Sequence, residues 1–283
     1  MTPLRQKMIE DMQLRGFAER TQQSYLTAIS KLARYYQKSP DQISEQELRT
    51  YFLYLKNEKK AAASTIRQVL SALKFLYQHT LHQPCPILDF VKPKGGKKLP
   101  VVLSRTEVQR ILEQVKQPPY RVCLNTIYSC GLRLQEGVKL PVKAIDSQRM
   151  VVRLQGAKGQ KDRYVPLPTR TLEQLRSYWQ RHRHPDWLFP RQKAGLSETM
   201  CSTGVQRAFR AALKASGVEK AATVHTLRHS YATHLVEAGV PLQLVQRYLG
   251  HTSLLTTSIY VHMTPQVQQA AVEQINQLMA DLP

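Results

Sequence analysis

Two histidines form the first group of residues whose spacing suits chemistry. His225 and His229 are four residues apart, so a helix would place both side chains on one face. Such a pair can bind zinc when a third ligand and a general-base carboxylate accompany it. No acidic residue lies within or next to this segment, so we expect no metal site there.

Two arginines stand at similar helical spacings. Arg133 lies three residues before Glu136, a spacing at which ordinary surface ion pairs form on helices. Arg228 lies three residues after His225, so a helix would bring those two side chains to one face. Guanidinium groups can bind phosphate bidentately, but each arginine alone is equally typical of a solvated surface.

A tyrosine near the C-terminus follows two predicted helices. The segment from Pro241 to Gly250 has a helix-starting proline and a helix-ending glycine, with His251 directly after it. Ser253 then suits the N-cap of the next helix. Tyr260 lies nine residues past His251, which on one continuous helix would mean opposite faces. We expect the helix break at Gly250 to let His251 and Tyr260 face one site. A tyrosine considered alone is more typical of core packing.

The N-terminal part of the chain has the apolar periodicity of helices. One helix is predicted from Arg20 to Tyr36 and another from about Ser64. Between them, Ser44 and Glu47 form a capping box that predicts the start of another helix. These patterns predict an all-helical domain over residues 1–88.

A basic segment without a helical or apolar pattern follows, over residues 89–102. It contains prolines, glycines and four lysines, and it cannot build a core. We interpret it as a solvated linker that could also lie across a DNA backbone. Its candidate DNA-binding residues are Lys92, Lys94, Lys97 and Lys98.

A second domain is predicted over residues 103–283, opening at a capping box formed by Ser104 and Glu107. Residues 150–154 and 163–167 alternate and are rich in β-branched side chains, with a glycine-containing turn between them. This pattern predicts a β-hairpin. Further helices are predicted from Thr171 to His182 and from Ser202 to Ser216.

The charge of the chain indicates its partner. The 283 residues include 41 Lys and Arg against 20 Asp and Glu, a formal net charge of +21. Such an excess favours nucleic acid, because binding to phosphates releases counterions. We expect a cytoplasmic protein without membrane contact, because neither a signal peptide nor a long apolar stretch is visible. The four cysteines show no CxxC pair, so we expect them to be reduced and mostly buried.

Taken together, three segments resemble the tyrosine recombinase (phage integrase) family, especially its compact Xer-like members. They are GLRLQE at 131–136, GAKGQKDR at 156–163, and HTLRHSYATHLVEAGVPLQLVQRYLGHTSLLTTSIYVH at 225–262. The N-terminal helices also resemble that family's core-binding domain. The resemblance implies a mainly α fold. An all-helical core-binding domain and a mixed α+β catalytic domain with a small β-hairpin would form a C-shaped clamp on DNA.

The resemblance also implies a catalytic set: Arg133, Lys158, His225, Arg228, His251 and Tyr260. The two arginines would hold the nonbridging oxygens of a phosphodiester and stabilise its pentavalent transition state. They would also favour the anion of the Tyr260 phenol, whose reference pKa is about 10. His225 would accept the phenol proton, and His251 would donate a hydrogen bond to the phosphate. Glu136 would support Arg133 without reacting.

The acid that protonates the leaving 5′-oxygen has two candidates in the hairpin turn. The family usually has Gly-Lys-Gly there, whereas this chain has Gly156, Ala157, Lys158 and Gly159. Lys158 still precedes a glycine and fits the pattern best. Lys161, three residues further along the same turn, is the alternative.

The implied activity is site-specific DNA recombination in the integration, excision or resolution of a mobile element. Tyr260 would form a 3′-phosphotyrosyl bond that keeps the ester energy, so neither metal, ATP nor cofactor is expected. The partners would be double-stranded DNA and three further protomers in a homotetramer, with the amphipathic segment 267–279 docked on a neighbour. The alternatives are a type IB-like topoisomerase and a DNA-binding regulator that does not cut.

Overall fold

The computed structural model describes residues 2–85, 91, 100–156, 162–191, 198–263, 272–273, 275–277 and 280. The chain divides into two compact units, residues 1–98 and 99–283. It is mainly helical with one small antiparallel sheet, which confirms the predicted fold class. Within the described ranges, no helix is both long enough and apolar enough to cross a bilayer.

The described part of the N-terminal unit is entirely helical. Its helices are α1 (Pro3–Leu14), α2 (Glu19–Tyr36), α3 (Glu45–Asn57) and α4 (Ala63–Phe75), the last continued by a π-helical turn, Leu76–Thr80. The helix predicted from Arg20 is confirmed as α2. The first capping box is also confirmed, because the N–H of Ser44 donates to the Glu47 carboxylate at 2.9 Å. Helix α1 was not predicted from the sequence; it buries Met8 and Met12 in the core of this unit.

The C-terminal unit surrounds a small sheet with helices. Its sheet has the order β1 (Ile145–Asp146), β2 (Val151–Leu154) and β3 (Arg163–Pro166), and both pairings are antiparallel. Val152 pairs with Val165, so the predicted hairpin is confirmed. Its turn, 157–161, lies outside the described residues. Met150, predicted as the first strand residue, instead adopts a φ of 52° in the turn before β2.

The helices of the C-terminal unit are mostly short. They are α5 (Arg105–Glu113), α6 (Pro118–Ser129), α7 (Leu134–Val138), α8 (Thr169–His182), α9 (Ser202–Ala215), α10 (Val224–Glu237), α11 (Leu242–Leu249) and α12 (Leu254–Thr257), with a 3₁₀ segment, Ser258–Met263. The second capping box is confirmed at Ser104, whose N–H donates to Glu107 at 2.7 Å.

Helix α10 runs through the interior of this unit. It packs against α6 on one side and against the 3₁₀ segment on another. Leu227 and Ala232, on nearly opposite faces, are both completely buried. A helix that is buried on several faces does not show a single apolar stripe. Polar side chains in the middle of α10, such as Arg228 and Ser230, therefore face protein rather than bulk water.

The cysteines are mostly buried, as expected. Cys85, Cys123 and Cys130 are buried, whereas Cys201 is exposed. Burial raises the pKa of the Cys123 and Cys130 thiols to about 12, so both are protonated and inert at neutral pH.

Candidate active site

Arg133 is positioned by the turn that precedes α7. Its backbone is extended and forms the N-cap of that helix, and its N–H donates to Oε2 of Glu136 at 2.7 Å. The guanidinium returns to the same carboxylate, with Nη1 2.9 Å from Oε1. Nη2 donates to the carbonyl oxygen of Gly250 at 3.3 Å. These bonds hold the side chain in one direction while it stays 31% exposed.

Arg228 lies deeper than Arg133 and is only 2% exposed. Its Nη1 donates to the carbonyl of Gly131 at 2.8 Å, and its Nη2 donates to the carbonyl of Leu249. Burial lowers the pKa of Arg228 to about 10. The charge of Arg133 also lowers this pKa, whereas the charge of Glu136 raises it. The group is therefore cationic at neutral pH, and it ties α10 to the turns before α7 and after α11.

A third arginine, which is buried, joins these two and was not predicted from the sequence. Arg163, on β3, donates from Nη2 to Oε2 of Glu136 at 2.7 Å and from Nε to the carbonyl of Tyr248 at 2.9 Å. The available signal was strand alternation, because Arg163 shares a face with the buried Val165. Glu136 thus contacts three guanidinium groups, with Arg228 at 3.8 Å.

The electrostatics of this cluster keep Glu136 ionised. Burial by itself would raise the pKa of the carboxyl group. The hydrogen bond and charge of Arg163, together with the hydrogen bonds from Arg133, outweigh burial and lower that pKa to about 2. One carboxylate against three cations leaves a net positive charge, which suits a pocket that receives an anion.

The turn after α11 requires glycine. Gly250 adopts a φ of 62°, the left-handed conformation that ends the helix. A Cβ at this position would lie 2.8 Å from Cδ of Arg163. The bare backbone therefore lets the turn rest directly on the arginine cluster and sets the direction of His251.

His251 and Tyr260 face each other, with ring centroids 6.4 Å apart and planes inclined by only 17°. The predicted juxtaposition is thus present, but its predicted cause was wrong. Gly250 precedes both His251 and Tyr260 in the chain, so the helix break at Gly250 does not lie between them. They face one another because α12 begins only at Leu254, after His251, and gives way to the 3₁₀ segment that contains Tyr260. Nδ1 of His251 lies 2.9 Å from the hydroxyl of Thr257.

Tyr260 contacts a histidine that the sequence analysis considered only as a zinc ligand. Its phenol oxygen lies 2.8 Å from Nδ1 of His229, and the tyrosine is 2% exposed. Burial raises the pKa of Tyr260 against the opposing charge of Arg228, so the phenol is protonated here. Burial, with the charges of His225 and Arg228, lowers the pKa of His229 to about 4.

His225 occupies the first turn of α10, next to His229. The two rings meet edge to face, with centroids 4.6 Å apart. The surrounding protein lowers the pKa of His225, and the charges of Arg228 and Arg133 add to that effect. The contact with the phenol described above is made by His229, one turn further along the helix.

The structure therefore brings five of the six predicted catalytic residues into one charged cluster with Glu136. Lys158 and Lys161 lie outside the described residues, as do Lys92, Lys94, Lys97 and Lys98. In the parts of the chain that are described, no three His, Cys, Asp or Glu side chains are grouped closely enough to bind a metal.

Comparison with known proteins identifies both parts of the chain. Residues 101–267 match the phage integrase family, and residues 4–87 match the phage integrase N-terminal SAM-like domain. The integrase/recombinase y4qK of Sinorhizobium fredii is 45% identical over 266 residues, covering 93% of this chain and 85% of that protein. Tyrosine recombinase XerD of Oceanobacillus iheyensis is 31% identical over 270 residues, covering 88% and 90%.

A solved structure shows the same fold. The crystal structure of a lambda integrase dimer bound to a COC′ core site aligns with a TM-score of 0.74 at 19% identity, covering 91% of this chain and 75% of that one. The comparisons give no support to the topoisomerase or to the regulator that does not cut. The chain belongs to the phage integrase family and is a tyrosine site-specific recombinase, an enzyme that cleaves and rejoins DNA.

Proposed function

We propose that Tyr260 is the nucleophile of this recombinase and that Arg133, His225, Arg228 and His251 bind the phosphate it attacks. The observation that carries this proposal is the convergence on Tyr260 of the guanidinium cluster and the histidines. The phenol oxygen forms a bond to phosphorus as the bond from phosphorus to the 5′-oxygen breaks. The products are a 3′-phosphotyrosine and a free 5′-hydroxyl, and the reverse attack by a partner strand completes exchange.

Arg133 and Arg228 have different roles toward the phosphate. Arg133 remains partly exposed and keeps N–H groups beyond those held by Glu136 and Gly250, so it suits direct contact with nonbridging oxygens. Arg228 is almost fully enclosed and fixed by two carbonyls. Its charge acts on the developing phosphorane from a fixed position, which requires no reorganisation during reaction.

The histidines act in their neutral forms. The pKa of His251 is lowered to about 4, chiefly by burial and then by the charges of Arg228 and Arg133. If the hydroxyl of Thr257 donates to its Nδ1, the proton of the ring resides on Nε2. That N–H then donates to a nonbridging phosphate oxygen. His225, at the exposed start of α10, donates to the same phosphate from the other side.

Lys158 is proposed as the acid for the leaving 5′-oxygen, with Lys161 as the alternative. The described residues on either side of this segment are joined by hydrogen bonds. Asp162 accepts from the N–H of Gly156 at 3.1 Å and from Nη2 of Arg153 at 3.1 Å. Asp162 thus connects described residues on the two sides of the segment that contains the two lysines.

The wider assembly follows from the charge and the likeness to integrases on DNA. We propose core-binding and catalytic domains over 1–88 and 103–283, joined by the linker 89–102 whose four lysines contact the DNA backbone. Two recombining sites, each with two half-sites, require a homotetramer, held together through the C-terminal segment 267–279. Val272 and Ile275 in that segment are each 54% exposed, which supports an intermolecular role. The substrate is proposed to be a mobile element.

Recombination on a plasmid tests this function. A supercoiled plasmid with two copies of a verified binding site, taken from DNA flanking the gene, is incubated with the protein. Deletion or inversion between the sites is expected, without metal or ATP. Relaxed circles alone would overturn the proposal of strand exchange.

A further inference from the structure

The contact between His229 and Tyr260 has no role in the proposed phosphate-binding set. Nδ1 of His229 and the phenol oxygen are 2.8 Å apart, and the ring centroids are 5.8 Å apart. A proton acceptor for a phenol must lie within about 2.6–3.2 Å of its oxygen. His229 meets that requirement before any DNA is bound.

We propose that His229 is a further catalytic residue, the base that removes the phenolic proton of Tyr260. This inference rests on the proposed function, because it requires Tyr260 to be the nucleophile. The proton moves from Oη to Nδ1 while the phenol oxygen bonds to phosphorus and the 5′-oxygen leaves with a proton from a separate acid. In the rejoining step, the 5′-hydroxyl gives its proton to the acid deprotonated in the first step as its oxygen bonds to phosphorus, and His229 returns its proton to the departing Tyr260 oxygen.

The other histidines near the phenol are less suited to this step. His225 meets the ring of His229, with centroids 4.6 Å apart. His251 lies nearly parallel to the tyrosine ring, and its Nδ1 is engaged by Thr257. Among the histidine contacts that the structure describes around Tyr260, the one at hydrogen-bonding distance from the phenol oxygen is made by His229.

The charges around His229 also explain why attack would wait for DNA. With a pKa of about 4, its ring is neutral at pH 7, and in the tautomer that carries the proton on Nε2 the Nδ1 atom can accept a proton from the phenol. Burial, and then His225 and Arg228, disfavour the imidazolium of His229, and burial raises the pKa of Tyr260. The proton therefore stays on Tyr260 in the free protein. A bound phosphate supplies the negative charge that offsets Arg228 and allows the transfer.

A matched pair of substitutions tests the inference. His229→Asn keeps an acceptor oxygen near the position of Nδ1 but removes the base. His234→Asn is the control, because His234 lies on the same helix and contacts a different tyrosine, with Nδ1 2.9 Å from the hydroxyl of Tyr128. Covalent adduct formation is followed in single turnover on a nicked duplex from a verified binding site, with DNA affinity measured in parallel.

We expect His229→Asn to slow adduct formation roughly 10²-fold or more at pH 7, with DNA affinity unchanged. The rate of adduct formation by this variant should recover as pH rises. His234→Asn should cleave like the unsubstituted protein. The defect of His229→Asn should persist on a substrate whose bridging 5′-oxygen is replaced by sulfur, because a thiolate leaves without an acid. Disappearance of the defect there would overturn the proposal, since His229 would then serve the leaving group.

Two further results separate this inference from the proposed function. An adduct that forms in Tyr260→Phe would overturn the proposed nucleophile itself. An absent adduct in Tyr260→Phe, combined with a normal rate and pH profile in His229→Asn, would overturn only the role of His229. His229→Gln serves as a second variant if His229→Asn melts at a temperature well below that of His234→Asn.

Discussion

Arg163 donates a 2.7 Å hydrogen bond to Glu136 across 27 positions of sequence, and its side chain is only 6% exposed. Arg133 donates to the same carboxylate, so Glu136 connects strand β3 to the turn before α7. Arg163 also donates a hydrogen bond from Nε to the carbonyl oxygen of Tyr248, and its side chain packs against the turn at Gly250. Three segments of the proposed active site therefore depend on one buried ion pair.

Removal of Arg163 should be costly for stability. Arg163→Met leaves a buried carboxylate without one of its donors, which costs about 3–5 kcal/mol of unfolding free energy. Arg153→Met is the control on the neighbouring strand, because the pair of Arg153 with Asp162 is about half exposed and contributes at most about 1 kcal/mol. Urea denaturation of both variants measures the difference. Equal losses would show that Arg163 is not the structural centre of the cluster.

The ionisation of Glu136 should make stability depend on pH. Its pKa is about 2 in the folded chain and about 4.5 without the surrounding protein. A lowered folded pKa gives stability that is complete above pH 5 and is lost as pH falls toward 2. The unsubstituted protein should therefore lose about 2 kcal/mol more than Glu136→Gln between pH 7 and pH 3. Parallel pH profiles for the two proteins would contradict the assigned pKa.

Gly250 should tolerate a side chain less well than Gly239, which has the same left-handed conformation. Gly250→Ala incurs the cost of a left-handed non-glycine residue, about 1–2 kcal/mol, and also a contact of 2.8 Å with Arg163. Gly239→Ala incurs the backbone cost alone, because φ is 78° and no atom lies within 4 Å of the added Cβ. We expect Gly250→Ala to be the less stable and to lose cleavage, with Gly239→Ala cleaving normally. Thermal melts and adduct assays check both, and a reversed ranking would refute the packing argument.

The two candidate acids can be separated by the same sulfur substitution of the leaving group. Lys158→Ala should reduce cleavage of ordinary DNA by about 10²–10⁴-fold and recover on the 5′-thio substrate. Lys161→Ala should retain most of its activity on both substrates. Rescue of Lys161→Ala in place of Lys158→Ala would reverse the assignment.

Sequence patterns predicted local structure more successfully than the contacts of the site. The periodicity of α2 and the capping boxes at Ser44 and Ser104 depend on neighbours within a turn, so they were predictable. His229 and Arg163 were missed because their partners, Tyr260 and Glu136, lie 31 and 27 residues away. Polar residues on the enclosed helix α10 also lack a solvent-facing pattern that would separate catalytic from packing roles.

The central claim is that Tyr260 forms the covalent bond to DNA. A nicked suicide duplex, made from a verified binding site and labelled on the cleaved strand, is incubated with the unsubstituted protein and with Tyr260→Phe, and the products are separated in denaturant. We expect a labelled protein–DNA adduct that is linked through Tyr260 in the unsubstituted protein and absent from Tyr260→Phe. An adduct that persists in Tyr260→Phe, or none with the unsubstituted protein on DNA that it binds, would contradict it.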